Sequence, residues 1–163
     1  MIHSHVYHLF RTPCVALLAA LAVMLIPATP VNAQDVDKRA NTVGVEILGR
    51  ALLYSANYER SFNRIGAGAG VAVWSFGSDT AVIVPIYASF RPVGSVNSLY
   101  LAGGATVGGE SRTFFDRPVT AGTLSVGFEH RSSSGLVIRP TATYGFTRDG
   151  GIVWPGVLVG FRF

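Results

Sequence analysis

The sequence predicts an all-β fold, an eight-stranded antiparallel up-and-down barrel whose strands cross a membrane. Three observations predict it: apolar residues alternate with small or polar ones along eight short segments, charge is scarce, and the connections between segments alternate between short and longer. Of the 163 residues, 49% are hydrophobic and 13% are charged, against about 25% charged in ordinary soluble domains. So apolar a chain buries enough surface to offset its ordering entropy, which excludes disorder. All 19 glycines lie beyond residue 33, where they argue against long helices. Lys38 is the only lysine, so most of the surface is expected not to face water.

The first segment reads as an address. His3, His5, His8 and Arg11 precede Val15 to Ile26, twelve residues without a polar group. That run is shorter than the ~20 residues a spanning helix needs. Pro27 and Pro30 follow, and then Val31-Asn32-Ala33 offers small residues at a cleavage site. The pattern predicts a signal peptide over 1–33, cleaved before Gln34. Cys14 precedes the apolar run rather than following it, which argues against lipid attachment, and the mature chain then has no cysteine. A short segment over 34–41 is expected to lead into a barrel over 42–163.

Period two then marks each strand. Val43, Val45 and Ile47 oppose Gly44, Glu46 and Leu48; Tyr54, Ala56 and Tyr58 oppose Ser55, Asn57 and Glu59. Ala69, Val71 and Val73 face away from Gly68, Gly70, Ala72 and Trp74, and Val82, Val84, Ile86, Ala88 and Phe90 face away from Pro85, Tyr87, Ser89 and Arg91. Leu99, Leu101, Ala105 and Val107 alternate with Tyr100, Ala102, Gly104 and Thr106; Leu124, Val126 and Phe128 alternate with Thr123, Ser125, Gly127 and Glu129. Leu136, Ile138, Pro140, Ala142, Tyr144 and Phe146 alternate with Val137, Arg139, Thr141, Thr143, Gly145 and Thr147, and Val153, Val157, Val159, Phe161 and Phe163 alternate with Trp154, Gly156, Leu158, Gly160 and Arg162.

The links sort by side. Asn63-Arg64, Val93 to Ser95 and Ser132 to Gly135 are turn-like; Gly49-Arg50, Gly77 to Asp79, Gly109 to Arg117 and Arg148 to Gly150 lie opposite, the longest among them. Short turns beside the termini and longer loops across from them suit a membrane barrel. The small face carries Glu46, Glu59, Arg91, Glu129, Arg139 and Arg162. Three acids and three bases are too few for a water-facing exterior, so they are expected to form an internal pairing network among small residues. The apolar face then meets lipid, and closure spares the backbone unpaired edges in hydrocarbon.

At this point the chain resembles the small outer-membrane β-barrel proteins of Gram-negative bacteria, the OmpX-like and OmpA-like eight-stranded barrels. The residues that carry the resemblance are the signal peptide, the segment Leu52-Leu53-Tyr54-Ser55-Ala56-Asn57-Tyr58-Glu59-Arg60, and the terminal Val159-Gly160-Phe161-Arg162-Phe163. It implies location in the cell outer membrane and insertion by the outer-membrane assembly machinery, which reads a final strand ending in an aromatic residue. Phe161 and Phe163 match that signal, while Leu158 stands where it usually has glycine. The neighbours so implied are outer-membrane lipid and lipopolysaccharide, and the expected state is a monomer.

No histidine, cysteine or carboxylate cluster has metal-ligand spacing, no cofactor motif is present, and the formal charge of +4 forms no basic surface for nucleic acid. Gly66 to Gly70 lacks the third glycine and the helix of a nucleotide loop; close packing around interior charge explains it better. His130 adjoins Glu129 in sequence, but alternate residues of a strand point to opposite faces, which argues against a lipid A hydrolase. Phe114 and Phe115, in a charged loop, suit contact with the membrane interface or a partner. The expected role is structural or interactive, not enzymatic, with a plugged polar interior. A narrow pore is the alternative, and a lipid A enzyme ranks behind it.

Overall fold

A computed structural model describes residues 39–76, 79–92, 96–110, 119–148 and 150–163. The expected leader over 1–33, with Cys14, lies outside the described residues, as do Phe114 and Phe115. The strands are β1 (Asn41–Leu48), β2 (Tyr54–Phe62), β3 (Ile65–Phe76), β4 (Asp79–Phe90), β5 (Asn97–Glu110), β6 (Val119–Arg131), β7 (Leu136–Thr147) and β8 (Gly150–Arg162). Each pairs antiparallel with the next, and β1 closes the ring on β8 through Val43 opposite Phe161, Val45 opposite Val159 and Ile47 opposite Val157. This is the up-and-down barrel that the alternation predicts.

The inside and outside also fall as the alternation requires. Val126 is 49% exposed while its neighbour Ser125 is 6% exposed, so the apolar face is the exterior. Val45, Tyr58, Ile86, Phe128, Val159 and Phe161 repeat that orientation around the ring. Ser55, Asn57, Thr123, Thr141 and Thr143 are buried inside with the charged residues. Where walls approach closely, the chain uses glycine: a Cβ on Gly104 would lie 2.7 Å from Tyr87 Cα and against the Ile86 carbonyl. The tight link at Asn63-Arg64 holds Asn63 at φ 59°, a left-handed position that asparagine tolerates.

One link departs from expectation. Gly49-Arg50 reads as a simple outer turn, and Leu52-Leu53 reads as the start of a strand. Instead Gly49–Ala51 forms a 3-10 turn and β2 begins only at Tyr54. Leu48 (φ 57°), Gly49 (φ 76°) and Leu52 (φ 71°) all adopt left-handed backbone, and the turn bends into the lumen, where Gly49, Arg50 and Ala51 are buried. The indole of Trp154 donates to the Gly49 carbonyl, and the Thr106 hydroxyl donates to the Arg50 carbonyl over 3.1 Å. Positive φ at leucine is unfavourable, and these fixed carbonyls oppose its relaxation. Period two misses the turn because Ala51, Leu52 and Leu53 are as apolar as strand residues.

The wall is therefore uneven. β1 and β2 have 8 and 9 residues, whereas β5 and β6 have 14 and 13. The long strands enclose a lumen deeper than β1 and β2 reach.

Gly104→Val forces a side chain into the β4 backbone, an overpacking cost of about 1–3 kcal/mol or more. The folded, fast-migrating band on an unboiled detergent gel is expected to be lost. Gly103→Ala, whose added carbon would make ordinary contacts with Leu124 at 3.4 Å and the Thr123 carbonyl at 4.0 Å, is expected to keep it.

Candidate functional site

The strongest concentration of chemistry lies inside the barrel, in the half nearer the chain termini. β2 projects Glu59 inward, β6 projects Glu129 and Arg131, β7 projects Arg139, and Arg91 follows the last residue of β4. Glu129 receives Arg91 Nε at 2.8 Å, Arg139 Nε at 2.6 Å and Arg131 Nε. Glu59 receives Arg139 Nη1 at 2.9 Å, and it also pairs with Arg91. Both carboxylates thus bridge the same two guanidiniums across the lumen. Arg91 and Arg139 are each 1% exposed, so burial removes water as a competitor for these bonds.

Neutral groups complete the shell. Ser89 donates to Glu59 over 3.1 Å, and Tyr100 donates to the other Glu59 oxygen over 3.4 Å. The Arg139 guanidinium lies 4.0 Å from the Tyr100 ring centre and Arg91 lies 5.3 Å from it, a favourable cation–π placement. A Cβ on Gly66 would sit 2.8 Å from Glu59 Oε1 and 3.3 Å from Arg91 Nη1. Gly66, the first glycine of the β3 run, therefore leaves room for the ion pairs, while Gly68 and Gly70 leave room for Tyr87 and Asn57.

A second pair sits deeper towards the opposite end. Arg50, carried inward by the 3-10 turn, donates to Glu46 over 3.3 and 3.1 Å and to the Tyr100 hydroxyl over 3.1 Å. Its guanidinium also lies 3.7 Å from the Tyr87 ring centre. Tyr100 touches both groups and links them into one network.

The structure thus brings together Glu59, Glu129, Arg91 and Arg139 of the expected network. Glu46 is inside but pairs with Arg50. Arg162 is buried as expected, and its guanidinium donates to the Arg39 carbonyl near the chain termini. Arg50, Arg131, Tyr87 and Tyr100 also belong to the network, beyond the six charges that the alternation predicts. Arg131 follows Glu129 by two residues and so shares its face, and Tyr100 lies on the small face of β5; both were accessible to the period-two rule. Arg50 was not, because a turn residue has no alternation to place it. Phe161 and Phe163 point outward and are exposed. His130 is exposed, with Nδ1 2.7 Å from Asn97 Oδ1, while Glu129 is buried on the other face.

No protein-family model and no curated protein matches the sequence. Among solved structures, the chain is similar to the N-terminal β-barrel domain of Pseudomonas aeruginosa OprF. The identity is 14%, the match covers 77% of this chain and 99% of that one, and the TM-score is 0.57. It is also similar to Ail, the attachment invasion locus protein of Yersinia pestis, at 18% identity, with 76% and 97% covered and a TM-score of 0.47. The first likeness bears out the fold expected from the sequence, an eight-stranded barrel of outer-membrane type.

Glu129→Ala leaves three arginines around a single remaining carboxylate. It is expected to lower the unfolding free energy by about 3–5 kcal/mol, measured by urea unfolding of lipid-refolded protein. Ser89→Ala removes one neutral donor and is expected to cost about 0.5–1.5 kcal/mol.

Proposed function

We propose that this chain is an outer-membrane barrel sealed across its periplasmic half, with a structural or surface-interaction role rather than a catalytic or conducting one. The observation that carries the reading is the two-carboxylate bridge, in which Glu59 on β2 and Glu129 on β6 share Arg91 and Arg139 across the lumen. An eight-stranded barrel is only wide enough for side chains to fill, and here those side chains hold one another. An ion entering that level would have to break pairs between buried groups.

The location follows from three supports. The exterior is apolar around the whole ring, the leader reads as an export signal, and the fold is shared with the OprF barrel domain. Outer-membrane lipid and lipopolysaccharide are then the surroundings, and Phe161 and Phe163 are the features offered to the assembly machinery. The protein works as a monomer, and the loop bearing Phe114 and Phe115 is its contact with the outer interface or a surface partner. A lipid A hydrolase is disfavoured because Glu129 is committed to arginines and His130 faces away from it. No metal or cofactor enters this reading.

Two measurements test it. In planar bilayers the wild-type protein is expected to be ion-tight, and the Glu129→Ala/Arg139→Ala double variant to conduct; steady channels in the wild type would establish the narrow pore instead. Val126→Arg is expected to lower stability in lipid by about 2–4 kcal/mol, the cost of a charge on the lipid face near the bilayer midplane. A change near zero would mean that the apolar exterior is covered by something other than lipid.

A further inference from the structure

The other half of the lumen differs in kind from the charged half. Above the inward turn lies a cavity of about 850 Å³, within the ~300–1,000 Å³ range of small-molecule sites. Its walls are mostly apolar or small: Ala51, Ala81, Ile83, Ala121, Ile152 and Trp154 line it with several glycines, beside three threonines and Arg50 of the turn. The side chains inside a membrane barrel are ordinarily polar. An interior apolar over most of its area resists wetting, so its composition favours an apolar occupant.

The wall beside this cavity is incomplete. Pairing of β3 with β2 ends at Val71, and pairing of β8 with β1 ends at Gly156. Among the described residues, Ala72–Phe76 of β3 and Gly150–Pro155 of β8 continue without a ladder partner on that side. β1 thus leaves roughly 20 Å of β8 uncovered, at about 3.3 Å per residue, while β2 stands level with β3 as far as Val73. At the upper end of β2 the Tyr54 hydroxyl donates to the Val73 carbonyl. Ile152, although its side chain is inward by alternation, is 60% exposed, so among the described residues the lumen is open at this level.

The height of the gap identifies what lies outside it. Val153 pairs with Tyr144, and Gly151 pairs with Phe146. Those two outward aromatics stack with ring centres 5.8 Å apart, and aromatic girdles mark membrane interfaces. The gap therefore opens just at and below the outer interface, flanked by the exposed Leu52, Leu53 and Val153. At that depth the material at hand is hydrocarbon. We infer that the cavity takes one acyl chain of an outer-leaflet lipid, which enters sideways through the gap above the β1–β2 turn.

This inference rests on the membrane reading above, and one set of fluorescence measurements separates the two. The chain has two tryptophans, so Trp74→Phe leaves Trp154 as the sole reporter on the cavity wall. The protein is reconstituted in dimyristoylphosphatidylcholine vesicles with or without phosphatidylcholine brominated on its acyl chains. Bromine quenches an indole only at short range, so Trp154 emission is expected to fall when an acyl chain occupies the lumen. Filling the cavity with Ala121→Phe, or with Ala81→Phe should the first variant fail to fold, is expected to abolish that loss.

Equal quenching in the filled variant would show bromine acting through the wall and would overturn the inference. So would an unquenched Trp154 that aqueous acrylamide reaches, which means a water-filled cup. An indole that neither reaches means that the chain's own residues occupy the space, which overturns the inference equally. In a Trp74→Phe/Trp154→Phe background, outward Val126→Trp must be quenched by brominated chains. Its failure would overturn the membrane reading itself, whereas its quenching beside a silent Trp154 would overturn the acyl-chain site alone.

Discussion

The interior depends on two carboxylates that cannot be left alone. Glu59 and Glu129 point into a lumen too narrow to hold bulk water, and an unpaired buried charge is far more costly than any contact the small residues around it supply. Arg91, Arg131 and Arg139 are the answer to that constraint, and they impose constraints in turn. Long guanidiniums need volume, which Gly66 and Ser89 leave open, and flat faces to rest on, which Tyr100 provides. Much of the small face of the barrel is thus a consequence of where its charges sit.

A buried network of this kind is weak evidence for net stability, because desolvation offsets much of its attraction. What it supplies is register. β2, β4, β6 and β7 all contribute a member or lead directly into one, and sliding any of these strands by one residue would turn its charge outward. The Glu46–Arg50 pair extends the same logic to a turn: the guanidinium draws the β1–β2 connection inward, and the left-handed leucines on either side accommodate the path. The charged half is therefore filled by its own side chains, while the half above the turn is walled mostly by small and apolar residues around open space.

That division was only partly legible beforehand. The six interior charges were readable because each occupies a strand position whose neighbours alternate, and Arg131 and Tyr100 obey the same rule. The partners were not readable, since face assignment says nothing about which residues meet across the lumen. Glu46 illustrates this: its face was evident, yet its partner lies in a turn four residues away. Arg162 shares the interior face but donates to the Arg39 carbonyl near the chain termini instead of joining the central bridge.

By itself the sequence determined the class of fold, the strand count and the inside and outside of the wall, because period two is a local property that each segment carries alone. Only the tertiary structure decided how high each strand stands, where the β1–β2 turn goes and that an apolar cavity opens through a gap beside it. Those features depend on the register of one strand against another and on contacts such as Trp154 with the Gly49 carbonyl. Residues so far apart in the chain have no local pattern that links them, and only ring closure brings them together.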